Sequence, residues 1–161
     1  MRNLGRAALF VFTASLLPFH AFAEGRFCIG GDTSKLNVSQ KKACVTELAQ
    51  VQTLAKRFHA PDNWHFVMVC DETGWSDYAA FSQRSETELV NSSADTDLAE
   101  QSTFFRGDRL LTPDALRFER VVAHEIASIN LHTSDERLIE RQLATWLPER
   151  QSDATILTAS R

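Results

Sequence analysis

Residues 121–132 read VVAHEIASINLH, and the reading of this stretch decides the rest of the chain. Its apolar positions, Val121 or Val122, Ala123, Ile126, Ala127 and Ile129, recur at helical spacing and cover more than one face. That is the pattern of a buried helix. Upstream, Thr112-Pro113-Asp114 forms a helix start: a threonine N-cap, a proline at the first helical position and an acid in the first turn. The predicted helix runs from there to about Leu131. Downstream, Thr133-Ser134-Asp135-Glu136 has the T-x-x-E form of a capping box and opens a second helix. That helix carries Leu138, Ile139, Leu143, Trp146 and Leu147, and Pro148 closes it.

Working back from this pair, WHFVMVC at 64–70 is short, aromatic and β-branched, and turn-prone residues follow it. It reads as a central strand. Tyr78–Gln83 and Thr87–Val90 read as two shorter strands, 91–99 as a polar loop, and Gln101–Phe105 as an edge strand. Before them, Cys44, Leu48, Val51, Ala55 and Phe58 make one apolar stripe on a helix from Ser39, its expected N-cap, to Phe58. Residues 24–38 read as a loop or ordered extension. The sequence therefore predicts an α+β domain over 39–149: a helix, a small mainly antiparallel sheet of three or four strands, then two consecutive C-terminal helices. Residues 150–161 form a polar tail.

Residues 1–23 have the pattern of a secretory signal peptide. Arg2 and Arg6 are basic, Ala7–Leu17 is apolar but too short to span a bilayer, and Ala21-Phe22-Ala23 is a small-x-small cleavage site. Export to the periplasm or beyond is expected, with no membrane span after cleavage. Losing that segment removes two arginines and no acids, which moves the formal charge from −4 to −6. An acidic chain without a polybasic run argues against a nucleic-acid partner. Cys28, Cys44 and Cys70 are an odd set in an oxidising compartment, so one disulfide and one free thiol are expected. Three pairings are open, and Cys28–Cys44 is the one favoured.

The chemistry sits in residues 124–136. In H-E-x-x-H two histidines one helical turn apart hold a zinc, and the intervening glutamate serves as general base toward its water. Here His124 and Glu125 stand in place, but Ser128 occupies the second histidine's position. A neutral hydroxyl is a poor zinc ligand beside imidazole, thiolate or carboxylate. His132 lies eight residues beyond His124, about 12 Å of rise on a continuous helix. One zinc cannot bridge that distance unless the helix ends first.

Residues 121–147 resemble the zincin-type regulatory metallopeptidases of the ImmA/IrrE class. Those proteins have a pattern close to A-H-E-L-G-H-x-x-L-H followed by a helix E-x-x-A-N-x-F-A-x-x-L-L. This chain has Ala123-His124-Glu125-Ile126-Ala127-Ser128-Ile129-Asn130-Leu131-His132, then Glu136, Ile139, Glu140, Gln142, Leu143, Trp146 and Leu147. The resemblance implies that His124 is the first metal ligand, Glu125 the general base and Glu136 the acidic third ligand. Ser128 leaves the second ligand position vacant, and His132 is a further candidate. The cofactor implied is zinc, or none where the ligand set has failed. The first reading is an exported zincin-like pseudoenzyme with a binding or structural role toward a protein or peptide ligand. The second is an active zinc-dependent peptidase with a substituted ligand. The third is a small disulfide-stabilised binding module unrelated to metal chemistry.

Overall fold

The computed structural model describes residues 26–82, 89, 92–107 and 115–148. The signal-peptide reading of 1–23, the helix start at 112–114 and the polar tail at 150–161 lie outside these residues. So does the expected strand at 87–90, apart from Leu89. Along the described chain come β1 (Phe27–Gly30), α1 (Val38–Arg57), β2 (His65–Val69), α2 (Glu72–Phe81), β3 (Ala94–Asp97), β4 (Ser102–Arg106), α3 (Ala115–Leu131) and α4 (Glu136–Trp146). A single 3-10 turn, Thr33–Lys35, follows β1. The domain is α+β, with a four-stranded sheet and two consecutive C-terminal helices after it, in agreement with the sequence reading.

The sheet itself corrects that reading. Its order is β1-β2-β4-β3, with β1 parallel to β2, β2 parallel to β4, and only β3 antiparallel to β4. It is mixed rather than mainly antiparallel. The physical reason is β1: residues read as an extension form a strand, and α1 then becomes the crossover of a β-α-β unit, which sets strands parallel. The stretch 78–83 also differs from expectation, because Tyr78 and its neighbours belong to α2. Asp71 caps that helix, its side chain accepting from the Gly74 amide, and Trp75, Tyr78 and Ala79 bury one helical face. Residues 94–97, read as loop, are β3. The expected edge strand at 101–105 is β4, an interior strand.

Alternation along the strands sends side chains to two faces. Phe66, Met68, Phe105 and Ala94 face the larger core, where Val51 and Ala55 of α1, Val122, Ile126 and Ala127 of α3, and Ile139 and Leu143 of α4 are buried. Val67, Val69 and Phe104 face Trp75, Tyr78 and Leu89 on the other side. The predicted stripe of α1 is the buried one. Its N-cap is Asn37 rather than Ser39, with a complete capping box to Gln40. The carboxamide of Asn37 satisfies the Gln40 amide and Gln40 returns the bond, so the box closes one residue pair ahead of the serine.

The disulfide joins Cys44 to Cys70, and Cys28 is free. This corrects the favoured Cys28–Cys44 pairing. Cys44 points from α1 onto the larger core, toward the end of β2 where Cys70 sits. Cys28 points from β1 to the opposite face of the sheet, where it lines an apolar hollow of about 280 Å³ with Val67, Val69 and Phe104. Partial burial pushes its thiol pKa up.

Candidate functional site

Helix α3 ends where the site needs it to end. His132 takes a left-handed conformation, φ 52°. The His132 amide donates to the Ile129 carbonyl and the Thr133 amide to the Ser128 carbonyl. These are the two bonds of a Schellman motif, with a histidine at the position that glycine usually fills. The hydroxyl of Ser128 donates to the Thr133 carbonyl at 2.7 Å and ties the turn from within. Ser128 is 7% exposed. Its hydroxyl therefore has a structural partner, and the place of the missing histidine is filled by part of the helix stop.

The turn brings the start of α4 back beside α3. The cap of α4 is Asp135, whose side chain accepts from the Arg137 amide, while Thr133 Oγ1 accepts from the Asp135 amide. The T-x-x-E capping box expected at 133–136 is thus replaced by an aspartate cap two residues later. The reason is local: Asp135 reaches an orphan amide of the first turn directly. Glu136 is left free of capping, and its Oε2 meets His124 Nε2 at 2.9 Å.

On the other side of the ring, His124 Nδ1 lies 3.5 Å from Glu125 Oε1. The second oxygen of Glu125 accepts from Thr96 Oγ1 at 2.7 Å. Thr96 and Thr103 share a hydrogen bond of 2.8 Å, and buried Trp64 donates its indole N–H to Thr103 Oγ1 at 2.9 Å. A chain of polar groups thus runs from Trp64 in the core through β4 and β3 to the surface at Glu136. The sequence marks neither threonine, and it marks Trp64 only as part of the central strand. No spacing in the sequence links these residues, since only the β3–β4 register sets Thr96 opposite Thr103.

Two carboxylates bracket one imidazole, so His124 is held as the cation. Its pKa is raised to about 9. Glu125 contributes most: at 14% side-chain exposure it is the less hydrated partner, which outweighs its longer approach, and Glu136, 70% exposed, adds to it. Partial burial of the ring opposes both. A raised folded-state pKa means that this bracket stabilises the fold fully below the unfolded value of ~6.5. The contribution is lost as pH climbs from there through about 9. The difference in thermal midpoint between the wild type and His124→Gln should therefore shrink steadily between neutrality and that pH. A difference that stays constant over the same range would show that the imidazole is not held as a cation.

Zinc, which the sequence resemblance implies, can be tested against these donors. A catalytic zinc takes three protein ligands and a structural one takes four. His124 Nε2 and Glu136 Oε2 are two donors facing each other. Glu125 approaches the opposite ring nitrogen and is bound to Thr96, so the two carboxylates do not converge on one point. Ser128 is turned to Thr133. His132 is exposed at the helix stop. Among the described residues no group of three or more histidine, cysteine, aspartate or glutamate side chains is arranged to hold a metal ion. The described residues do not fit a zinc ion.

Beside the bracket, between α3 and the approach to β3, lies a cleft of about 300 Å³. Ser92, Ser93 and Ala94 form one wall, and Arg117, Arg120, Val121, His124 and Glu125 form the other. β3 is an edge strand, and among the described residues no strand pairs with its outer side. No family model, curated protein or solved structure matches the chain.

Proposed function

We propose that this chain is an exported, zincin-like domain with a degenerate metallopeptidase motif. Its site binds a protein or peptide segment and does not cleave it. The observation that carries the reading is the hydroxyl of Ser128, which donates to the Thr133 carbonyl at the position where the motif requires a ligand. Among the described residues His124 and Glu136 are the facing donors, short of the three ligands that would hold and activate a metal-bound water. The rest of the arrangement supports descent from such a site: a histidine-glutamate pair on one helix and an acid on the next meet beside a sheet edge. The Cys44–Cys70 disulfide supports an oxidising compartment and hence export.

Binding is the role the remaining geometry favours. The bracketed histidine belongs to one wall of an open cleft that reaches the first residue of β3, Ala94. Among the described residues β3 is an edge strand, a setting in which extended peptides are taken up. The test is a selection of phage-displayed random peptides on the wild-type domain, with each selected peptide re-measured on Ser93→Trp. An indole at 93 fills the cleft from its outer wall without touching the buried network. Selected peptides should lose binding by about tenfold or more. Peptides that bind the variant as well as the wild type would show that the cleft is not the binding surface.

A further inference from the structure

The apolar hollow beside Cys28 lies on the face of the sheet opposite to α3. It measures about 280 Å³, and Cys28 of β1, Val67 and Val69 of β2, Phe104 of β4, and Tyr78 and Phe81 of α2 contribute to its wall. The fold builds it from two features. Helix α2 fills part of this face: Trp75, Tyr78 and Ala79 pack with Val69, and the Tyr78 ring stacks on Phe104 with centroids 3.9 Å apart. Strand β1 adds little bulk beside it, because alternation gives this face Cys28 and Gly30, set opposite Val67 and Val69. Gly31 and Gly74 draw β1 and α2 together at one end of the hollow, where a Cβ on Gly74 would lie 3.0 Å from the Gly31 Cα. Phe81, in the last turn of α2, stands 83% exposed.

We propose that this hollow binds a small uncharged apolar molecule, a pair of fused rings or an alkyl chain of about ten carbons. The inference is independent of the peptide cleft, which belongs to α3 and the start of β3. Size and wall chemistry carry it. A cavity of about 150 Å³ lined by aliphatic and aromatic side chains stays dry and takes up benzene. This hollow is nearly twice as large, and aliphatic and aromatic groups from three strands and one helix converge on it. A ligand there is met from several sides at once, and its apolar surface leaves water as it enters. Phe81 adds a contact at the mouth, because its exposed ring can close over a seated ligand. The volume suits one such molecule whole, whereas a partner protein would reach it with a side chain or two.

N-phenyl-1-naphthylamine, an uncharged dye that brightens in apolar surroundings, should saturate the purified chain at one site. Straight-chain 1-alkanols should displace it, each added methylene tightening the competition about three- to fourfold. The gain should stop at about ten carbons, where the hollow is full. Saturating 1-decanol should slow alkylation of the free Cys28 thiol by N-ethylmaleimide about tenfold. Cys28→Trp, which fills the hollow from β1, should weaken dye binding about tenfold or more at an unchanged far-ultraviolet dichroism spectrum. Should that variant fail to fold, the alkylation of the wild type decides alone. Absence of saturable dye binding would show that the chain itself fills the hollow, and would overturn the proposal. Dye binding that leaves Cys28 unprotected, or an alkanol series that keeps tightening past the filling length, would place the dye on an open surface and overturn it as well.

Discussion

Replacing Cys44 and Cys70 together by alanine is expected to lower the unfolding free energy by about 3.5 kcal/mol, the chain-entropy value for a loop of this length. The bond spans 26 residues of sequence. It joins the first half of α1 to the end of β2, so it closes the β-α-β unit that sets the sheet parallel. Both sulfur atoms are buried, with Cys44 1% and Cys70 6% exposed, and two small voids would add to the loss. Urea unfolding of the wild type and of the double variant measures the difference, and reductant should reproduce it in the wild type. A difference below ~1 kcal/mol would mean that the loop is ordered without the bond. The same preparation gives an independent reading of the pairing: denatured wild type should expose one reactive thiol, Cys28.

Ser128→His should create a zinc site at His124 and Glu136. Residues 124 and 128 are one turn apart on the same face of α3. A second imidazole there adds a third donor to His124 and Glu136, the number that a catalytic zinc takes. Zinc affinity should rise by about a hundredfold or more, because ligand count dominates it. The substitution has a structural cost as well. It removes the hydrogen bond to the Thr133 carbonyl, worth about 1 kcal/mol. It also forces a ring into a nearly closed position, which typically costs ~1–3 kcal/mol. The metal-free variant should therefore melt below the wild type and recover when zinc is added, because a ligand that binds only the folded state stabilises it. A variant that is destabilised and indifferent to zinc would mean that His124 and Glu136 are an ordinary surface ion pair.

Part of this architecture is legible in the sequence, and the rest fails for identifiable reasons. Helix α1, strand β2 and the α3–α4 pair carry their own periodicity, and tertiary packing agrees with it. Strand β1 has four residues, too few to show alternation. Without it the β-α-β unit is invisible and the sheet looks antiparallel. Strand β3 is ADTD, which no propensity would assign to a strand. Its polar side chains are tolerated there because each has a partner: Asp95 accepts from the Tyr78 hydroxyl at 2.6 Å, Thr96 donates to Glu125, and Asp97 accepts from the Ala99 and Glu100 amides. The end of α2 from Tyr78 reads as a short strand, because its aromatic residues suit one, although Trp75, Tyr78 and Ala79 have helical spacing.

The candidate site follows the same division. His124, Glu125 and Glu136 are marked by motif spacing, and the helix stop after Leu131 brings Glu136 to the ring of His124. The supporting threonines and Trp64 depend on strand register, which one sequence does not specify. The role of Ser128 as a tie within the helix stop is also a three-dimensional fact. It depends on His132 adopting a left-handed conformation that the sequence, with no glycine there, gives little reason to expect.

The proposed function requires that His124 be held as a bracketed imidazolium rather than as a metal ligand. Calorimetric titration of the purified wild-type domain with zinc at neutral pH tests it most directly, with His124→Ala and Glu136→Ala as controls. The account predicts no stoichiometric binding that either control removes. Tight one-to-one binding lost in both controls would contradict it and favour an active zinc site.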